Sequence, residues 1–188
     1  LSPHPNPAPF YSIRNLMKII SNFIGTEFIQ QILKENADLM YDNIWRSNLG
    51  WQEEIVSPSG VVLIRSLAPS HIDLLTEAMR RHGLIQADQK IELDAQAYVW
   101  HRLSYIPWHS DKDSDDEVRF AATLYLNSEW NEDWGGLFLY KKDGGIRAEA
   151  PAHDKLVFND QNFPHATTIL SVDAPYRHSV QLFWKVKS

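Results

Sequence analysis

The chain has 188 residues, a formal net charge of −6 at pH 7, 44% hydrophobic residues and 22% charged residues, which is typical of one globular domain with a single core. It has no basic stripe, no apolar run of membrane-spanning length and no Cys, which argues against a nucleic-acid partner, a membrane segment, and a disulfide scaffold or thiolate metal site. A Cys-free chain also fits a reducing compartment, so we expect a cytoplasmic protein.

The N-terminal stretch differs from the rest in composition. Residues 1–16 carry Pro at positions 3, 5, 7 and 9, which interrupts any apolar run of the kind that a signal peptide needs. We interpret residues 1–16 as a Pro-rich leader or a tag-like arm with an extended backbone. Residues 17–188 are then predicted to form a single domain.

Two helices are predicted in the N-terminal half. Between residues 19 and 40 the apolar residues recur at helical spacing, and Thr26 is a candidate N-cap. The second helix is predicted to begin at Ser70, with Asp73 completing a capping box, and to end at Gly83. Its buried face is predicted to consist of Leu74, Leu75, Ala78 and Met79.

From Lys90 onward, short runs of β-branched and aromatic residues alternate with clusters of Gly, Asn, Asp and Pro, a pattern typical of strands. An earlier strand is predicted at 61–64, and residues 41–60 fit a loop or a short strand equally well. The later strands are predicted at 91–103, 118–126, 136–140, 146–149, 155–158, 166–170 and 178–186. Two helices followed by many strands indicate an α+β, mainly β fold, with the helices bracing a β-sandwich or barrel.

The central functional motif is His109-Ser110-Asp111. Residues two apart in a strand point the same way, so both side chains can reach one metal ion. The distant His165, arriving from a strand of the facing sheet, would complete a 2-His-1-carboxylate triad, a ligand set of non-haem Fe(II) oxygenases. His-x-Asp alone is also common in solvated loops, and His165 alone fits an ordinary turn residue after Pro164.

A candidate anion-binding residue opens the last strand. Arg177 and Ser179 point to one side of that strand, where a guanidinium and a hydroxyl can hold one carboxylate. The alternative is a surface ion pair, but residues 180–184 are mostly apolar and a buried cation needs an anion. His178 is the alternative residue for the cationic role.

These features occur in an order that resembles a known family over residues 95–186. The order is His109 and Asp111, Tyr125-Leu126-Asn127, Gly135-Gly136, Leu156-Val157-Phe158, His165, Arg177 and Phe183-Trp184. It resembles the prolyl 4-hydroxylase-like Fe(II)/2-oxoglutarate-dependent dioxygenases. The resemblance implies a double-stranded β-helix (jelly-roll) core, with the N-terminal helices bracing one sheet.

The resemblance also implies the cofactors and the residues that bind them. Fe(II), 2-oxoglutarate and O₂ are expected, with ascorbate as a supporting reductant. The implied catalytic metal ligands are His109, Asp111 and His165. The residues implied to bind 2-oxoglutarate are Arg177, Tyr125, Ser179 and Tyr98.

The implied activity is hydroxylation of an unactivated C–H bond, with succinate and CO₂ as co-products. The expected substrate is a prolyl or other amino-acid residue in a peptide or protein, or an amino-acid-like molecule. Asp111 favours hydroxylation, because the halogenases of this chemistry carry a small residue at that position. The alternatives are an oxygenase that tailors a small natural product and a non-catalytic jelly-roll module that binds or senses a ligand.

Candidate substrate residues are less well defined. Trp108 and Trp134 are candidates for an apolar pocket, and Arg102 and Arg119 for binding a substrate carboxylate. The acidic residues 111–117 are interpreted as a solvated loop, with recognition of a cationic substrate as the alternative. An open channel beyond the metal would favour a peptide, and a closed cup would favour a metabolite.

Overall fold

The computed structural model describes residues 17–51, 55, 59–111, 120–160 and 163–187. The predicted arm, residues 1–16, therefore lies outside the described residues. Two α-helices occur in the described part, α1 (Thr26–Asp38) and α2 (Pro69–Arg81), together with 3₁₀ turns at Asn48–Gly50 and Glu132–Trp134. The strands in the same part are β1 (Met17–Ser21), β2 (Arg46–Ser47), β3 (Val62–Ser66), β4 (Ile91–Trp100), β5 (Ile106–His109), β6 (Phe120–Tyr125), β7 (Phe138–Lys142), β8 (Gly145–Glu149), β9 (Lys155–Asp160), β10 (His165–Thr167) and β11 (Arg177–Val186).

The strands form two antiparallel sheets. A seven-stranded sheet has the order β1-β9-β6-β11-β4-β3-β2, and a four-stranded sheet has the order β5-β10-β7-β8. Sequence neighbours such as β6 and β7 lie in different sheets, which is the connectivity of a jelly-roll. The predicted mainly β fold with two helices is confirmed.

Alternation along β11 separates the helix-covered face of the large sheet from its inner face. Val180, Leu182 and Trp184 are buried in the main core together with residues of both helices. Arg177 and Gln181, on the odd-numbered side, line a cavity between the sheets. One face of each central strand thus stabilises the domain, and the other face carries polar groups.

The predicted first helix is in fact two elements. Ile19 and Ile20 lie in β1, which pairs with β9, and the helix begins only at Thr26. Gly25 is the N-cap, with a φ of 111° that favours glycine, and no side chain caps the helix. The Thr26 hydroxyl lies 3.2 Å from the His153 ring instead, so its predicted N-cap role was wrong.

The second helix also begins differently from the prediction. Its N-cap is Ala68, Pro69 occupies the first turn, and no side-chain cap forms, so Ser70 and Asp73 do not form a capping box. Gly83, with a φ of 64°, follows the C-cap as predicted. Neither described helix is long and apolar enough to cross a bilayer.

A buried polar cluster joins both helices to the large sheet. Leu74 is 52% exposed, whereas His71 on α2 is 2% exposed and lies 3.2 Å from the Glu35 carboxylate of α1. Arg65 of β3 pairs with the same carboxylate at 3.2 Å and donates a 2.8 Å hydrogen bond to Asn36. The predicted buried face of α2 was therefore wrong at Leu74, because the side chain that turns inward there is a paired histidine.

Several strand limits differ from the predictions. Residues 106–109, which lie outside the strand ranges predicted above, form β5, and β10 ends at Thr167 with a single bridge at Leu170. The ambiguous stretch before residue 60 contains the short strand β2 and a 3₁₀ turn. These short segments are defined by pairing with distant strands, which a local pattern does not reveal.

Candidate metal and co-substrate site

A cavity of about 900 Å³ lies between the two sheets. Its lining includes His109, Asp111 and His165 as well as Arg177, so the predicted metal ligands and the predicted cation face one space. This volume is within the range of small-molecule binding sites.

Pairing between two strands brings the three candidate metal ligands together. His109 is the last residue of β5, His165 is the first residue of β10, and the two are directly paired. The Asp111 carboxylate lies 3.5 Å from His109 Nε2 and 3.6 Å from His165 Nε2. One ligand atom from each residue lies within 4.8 Å of the others. His165 therefore comes from the adjacent strand of the same sheet, and its predicted origin in the facing sheet was wrong.

Both imidazole rings are oriented by the backbone. His109 Nδ1 lies 2.9 Å from the Pro107 carbonyl, and His165 Nδ1 lies 2.9 Å from the Phe163 carbonyl. A carbonyl oxygen only accepts, so each Nδ1 carries a proton and Nε2 is the nitrogen that faces Asp111 and can bind a metal ion. Such a backbone hydrogen bond is the usual way in which a metal-binding histidine is held.

The charge states of the triad also suit a divalent cation. Burial raises the pKa of Asp111, but the His109 hydrogen bond, both imidazoles and Asn159 outweigh burial and hold it below its usual value. Burial lowers the pKa of His165, and the Asp111 charge only partly opposes this. Burial also acts to lower the pKa of His109, but its contacts with Asp111 raise it overall. An ionised carboxylate beside imidazole nitrogens is a donor set that suits Fe(II).

Asn159 is a further residue of the site that the sequence did not predict. It lies on β9, is 2% exposed, and donates a 3.2 Å hydrogen bond from Nδ2 to Asp111 Oδ2. The predicted strand ended at residue 158. Alternation from Val157 would have placed Asn159 on the inner face had the strand been extended by one residue.

At the other end of the cavity, Arg177 is 1% exposed. Its Nη1 donates to the Gly136 carbonyl at 3.1 Å, and its guanidinium lies over the rings of Trp100 at 4.4 Å and Tyr125 at 5.2 Å. Burial lowers the pKa of Arg177, yet an arginine stays protonated in proteins. Its Nε has no hydrogen-bond partner, and no described carboxylate pairs with it. A buried cation with a free donor fits an anionic ligand.

The Gly135-Gly136 motif makes room for this cation. Gly136 has a φ of 65°, and a Cβ at this position would lie 3.2 Å from Arg177 Cδ. Larger residues would therefore push the arginine side chain away from the carbonyl that it contacts. The motif that supported the family resemblance thus has a structural reason.

The three other predicted co-substrate residues surround Arg177 in different ways. The Tyr125 hydroxyl is buried without a partner, and burial raises its pKa, so it stays a hydrogen-bond donor. Ser179 Oγ accepts a 3.3 Å hydrogen bond from Trp100 Nε1, and Tyr98 donates at 3.5 Å to Gln96. Tyr125 is therefore the member of this set whose hydroxyl has no partner, and it lies behind the residues that line the cavity.

His178 lies on the opposite face of β11. Its ring Nδ1 lies 3.5 Å from the Asn36 amide of α1, and burial lowers its pKa to about 4. A neutral imidazole on the helix side does not supply a cation to the cavity. The alternative assignment of the cation to His178 was wrong, because successive residues of a strand point to opposite faces.

The substrate candidates that the structure describes do not line the cavity. Trp108 is 41% exposed, with Lys141 Nζ 5.4 Å above its ring, because it alternates with His109 in β5. Trp134 packs edge-on against Trp130 outside the cavity, and Arg102 donates to a backbone carbonyl at 3.1 Å. A role of these three residues in substrate binding stays a prediction, with their side chains outside the described cavity lining. Arg119 and residues 112–117 of the acidic loop lie outside the described residues.

Other residues form the described cavity wall near the triad. One group is apolar and includes Trp51, Ile55, Ile106 and Phe138. A polar group on the inner face of β4, β6 and β11 comprises Asp94, Gln96, Thr123 and Gln181. A bound substrate therefore meets both apolar surface and amide or carboxylate groups.

Comparison with known families assigns the jelly-roll segment. The profile of the 2OG-Fe(II) oxygenase superfamily matches residues 94–185. The segment that forms most of the jelly-roll is therefore similar to the 2OG-Fe(II) oxygenases. The resemblance to the prolyl 4-hydroxylase-like members is confirmed, and the family uses Fe(II), 2-oxoglutarate and O₂. No curated protein matches the sequence significantly.

Solved structures agree with this fold. A prolyl-4-hydroxylase from Pseudomonas putida is 16% identical with a TM-score of 0.71, over 93% of this chain and 95% of that one. A prolyl hydroxylase from Trichoplax adhaerens, in complex with a hypoxia inducible factor peptide fragment, is 17% identical with a TM-score of 0.74, over 92% and 84%. The epimerase SnoN from nogalamycin biosynthesis is 11% identical with a TM-score of 0.68, over 92% and 79%. At such identities these three solved structures show that the fold is shared, and they leave the substrate open.

Proposed function

We propose that this protein is an Fe(II)- and 2-oxoglutarate-dependent hydroxylase that acts on an unactivated C–H bond of a prolyl or other amino-acid residue. The overall reaction consumes 2-oxoglutarate and O₂ and yields the alcohol, succinate and CO₂, with one oxygen atom in the alcohol and one in succinate. One observation carries the proposal: the triad and Arg177, whose Nε has no partner, line one cavity, and the unpartnered Tyr125 is buried beside Arg177.

In this proposal His109, Asp111 and His165 hold the iron, which when bound supplies the O₂-dependent oxidation that the family performs. The two backbone carbonyls keep both imidazoles in the tautomer that presents Nε2. Asp111 contributes the negative charge that partly neutralises a divalent cation. The protein thereby fixes the ligand atoms before any cofactor binds.

Arg177 and Tyr125 are proposed to bind the carboxylate of 2-oxoglutarate that lies away from the metal. The guanidinium supplies charge and a free Nε–H, and the Tyr125 hydroxyl supplies a second donor. Tyr98 lines the same cavity and Ser179 is fully buried, and each is already hydrogen-bonded within the protein. Trp100, stacked under the guanidinium, keeps water away from the ion pair.

A prolyl substrate is supported by the prolyl hydroxylases among the structural neighbours. An oxygenase that tailors a small natural product is the second candidate, favoured by the cavity volume of about 900 Å³ and by the likeness to SnoN. The intact triad with Arg177 supports turnover over a non-catalytic binding module. A cytoplasmic location and a supporting role for ascorbate stay predictions.

An anaerobic titration of metal-free protein with Fe(II) and 2-oxoglutarate tests the proposal. We expect a visible metal-to-ligand charge-transfer band, followed in air by succinate formation that prolyl peptides stimulate. Asp111→Ala should lose the band and at least about 100-fold in Fe(II) affinity, since a ligand matters more than its hydrogen-bond partners. Asp94→Ala, which removes a cavity carboxylate outside the triad, should keep the band.

The titration also separates the alternatives. A folded wild-type protein without the band would contradict the enzyme assignment and favour the binding module. A band with no stimulation by prolyl peptides, but with stimulation by small amino acids or polycyclic compounds, would replace the prolyl substrate with one of those classes. Unchanged succinate production in Asp111→Ala would overturn the metal assignment.

A further inference from the structure

Asn159 contacts the triad from the other sheet. The two histidines belong to the four-stranded sheet, whereas Asn159 belongs to β9 of the seven-stranded sheet. Its Nδ2 donates to Asp111 Oδ2 at 3.2 Å, and this oxygen lies 3.6 Å from His165 Nε2, whereas Asp111 Oδ1 accepts no hydrogen bond from Asn159 and lies 3.5 Å from His109 Nε2. The hydrogen bond therefore distinguishes the two oxygens of one carboxylate.

We propose that Asn159 is a positioning residue of the metal centre, which holds Oδ2 of Asp111 and leaves Oδ1 as the metal ligand. The inference rests on the proposed metal site and adds a role that the triad itself does not contain. An amide is suited to this role because it donates without ionising and so adds no charge beside the metal.

Asp111 needs such a partner more than the histidines do. Each histidine is held by a backbone carbonyl 2.9 Å away. Asp111 lies beyond the end of β5, and within the described residues Asn159 is the one neutral side chain that donates to it. An unrestrained carboxylate rotates between one-oxygen and two-oxygen coordination, and the Asn159 hydrogen bond opposes that rotation.

Asn159 is also rigidly held. Its backbone pairs with Ala121 of β6 on one side and with Met17 of β1 on the other. Its second possible neighbour, His165 Nδ1 at 3.5 Å, already donates to the Phe163 carbonyl and so offers no lone pair. Asn159 Nδ2 is therefore directed to Asp111, and the large sheet fixes a ligand of the small one.

Co(II) binding to the metal-free protein tests this role without turnover. Asn159→Leu keeps the approximate volume but cannot donate, and Asn159→Ala removes the donor with a smaller side chain. Thr123→Val is the matched control. It also removes a buried polar group on the inner face of the large sheet, but the hydroxyl that is lost donates to Gln181 at 2.8 Å and not to the triad. Dissociation constants and the visible spectrum of bound Co(II) are the readouts, with circular dichroism to confirm folding.

We expect both folded Asn159 variants to bind Co(II) about 10- to 100-fold more weakly, with an altered spectrum, and Thr123→Val to behave as wild type. Wild-type affinity and spectrum in either folded Asn159 variant would overturn the positioning role and leave the proposed function intact. Equal weakening in Thr123→Val would also overturn it, since the effect would then be a general loss of packing. Failure of the wild-type protein to bind Co(II) would overturn both proposals.

Discussion

The two ends of the cavity are built in opposite ways. At the metal end, each of the three triad side chains has a hydrogen-bond partner within the protein. At the cation end, Arg177 Nε and the Tyr125 hydroxyl are buried without one. At the metal end the side chains are therefore held in place by the protein alone. At the cation end the buried donors gain partners only when an anion binds.

The difference has an energetic meaning. A buried polar group without a partner costs about 1–3 kcal/mol, and a charged one costs more. An anion that satisfies both donors relieves this cost, so the free energy of unfolding should rise when 2-oxoglutarate binds. The protein thus gives up stability at the end where it selects its co-substrate, as binding sites commonly do.

The largest expected effect comes from Arg177→Met, which should weaken 2-oxoglutarate binding about 100-fold, or about 2.7 kcal/mol, through loss of charge-assisted hydrogen bonds. Co(II) affinity should stay at the wild-type value, because the triad does not contact Arg177. The metal-free variant should be at least as stable as wild type, since an unpaired buried charge has been removed. Isothermal titration and thermal melts measure all three quantities. A parallel loss of Co(II) affinity would show that the two ends are not independent.

A smaller effect is expected from His178, on the other face of β11. Its pKa is lowered by burial to about 4 from 6.5, so the folded state binds its proton less readily than the unfolded state. The free energy of unfolding that depends on neutral His178 is therefore fully present above pH 6.5 and decreases as the pH falls towards 4. About 2 kcal/mol of it is lost between pH 7.5 and pH 5. Urea unfolding at pH 7.5 and pH 5 should show a smaller loss of unfolding free energy in His178→Gln than in wild type. Its 2-oxoglutarate affinity should equal that of wild type, and a decrease would return the cation role to His178.

The smallest effect in this series is expected from Tyr125→Phe. Removing the unpartnered hydroxyl should stabilise the metal-free protein by about 1 kcal/mol and weaken 2-oxoglutarate binding about 10-fold. Tyr98→Phe is the matched control, because its hydroxyl already donates to Gln96 and its loss should not stabilise the protein. Thermal melts of the two variants, compared side by side, decide the point: equal destabilisation would mean that the Tyr125 hydroxyl has a partner after all.

Local patterns predicted the parts of the site that depend on strand alternation. Arg177 and Ser179 share a face because the period of a strand is fixed by backbone geometry. His109 and Asp111 also meet as predicted, although Asp111 lies beyond the end of β5 and strand alternation does not account for its position. The same rule explains why Trp108 points away from the cavity, although its position next to His109 in the sequence suggests contact with a substrate. Alternation thus accounts for Arg177, Ser179 and Trp108, which lie in strands, and not for Asp111, which does not.

The features that the sequence did not reveal depend on pairing between distant segments. Ile19 and Ile20 of β1 fit a helical pattern, because the pairing that makes them a strand is with β9, more than a hundred residues later. The sheet that carries His165 is likewise set by pairing with β5 and β7. Leu74 fits the apolar pattern of α2 but is exposed, and His71 is buried instead. His71 lies 3.2 Å from Glu35, which belongs to the other helix, so the pattern of α2 alone does not predict its burial.

The glycine beneath Arg177 has a consequence for which diacids the protein accepts. The Gly136 carbonyl and the Trp100 ring fix the guanidinium, so its separation from the triad is set by the backbone and not by a mobile side chain. Two binding groups at a fixed separation select a dicarboxylic acid by the length of its carbon chain. We expect 2-oxoglutarate to bind about 10-fold more tightly than oxaloacetate, which is one carbon shorter, or 2-oxoadipate, which is one carbon longer, because each loses one end contact. Competition for the Fe(II) charge-transfer band measures this preference, and equal affinities would mean that Arg177 moves to meet its ligand.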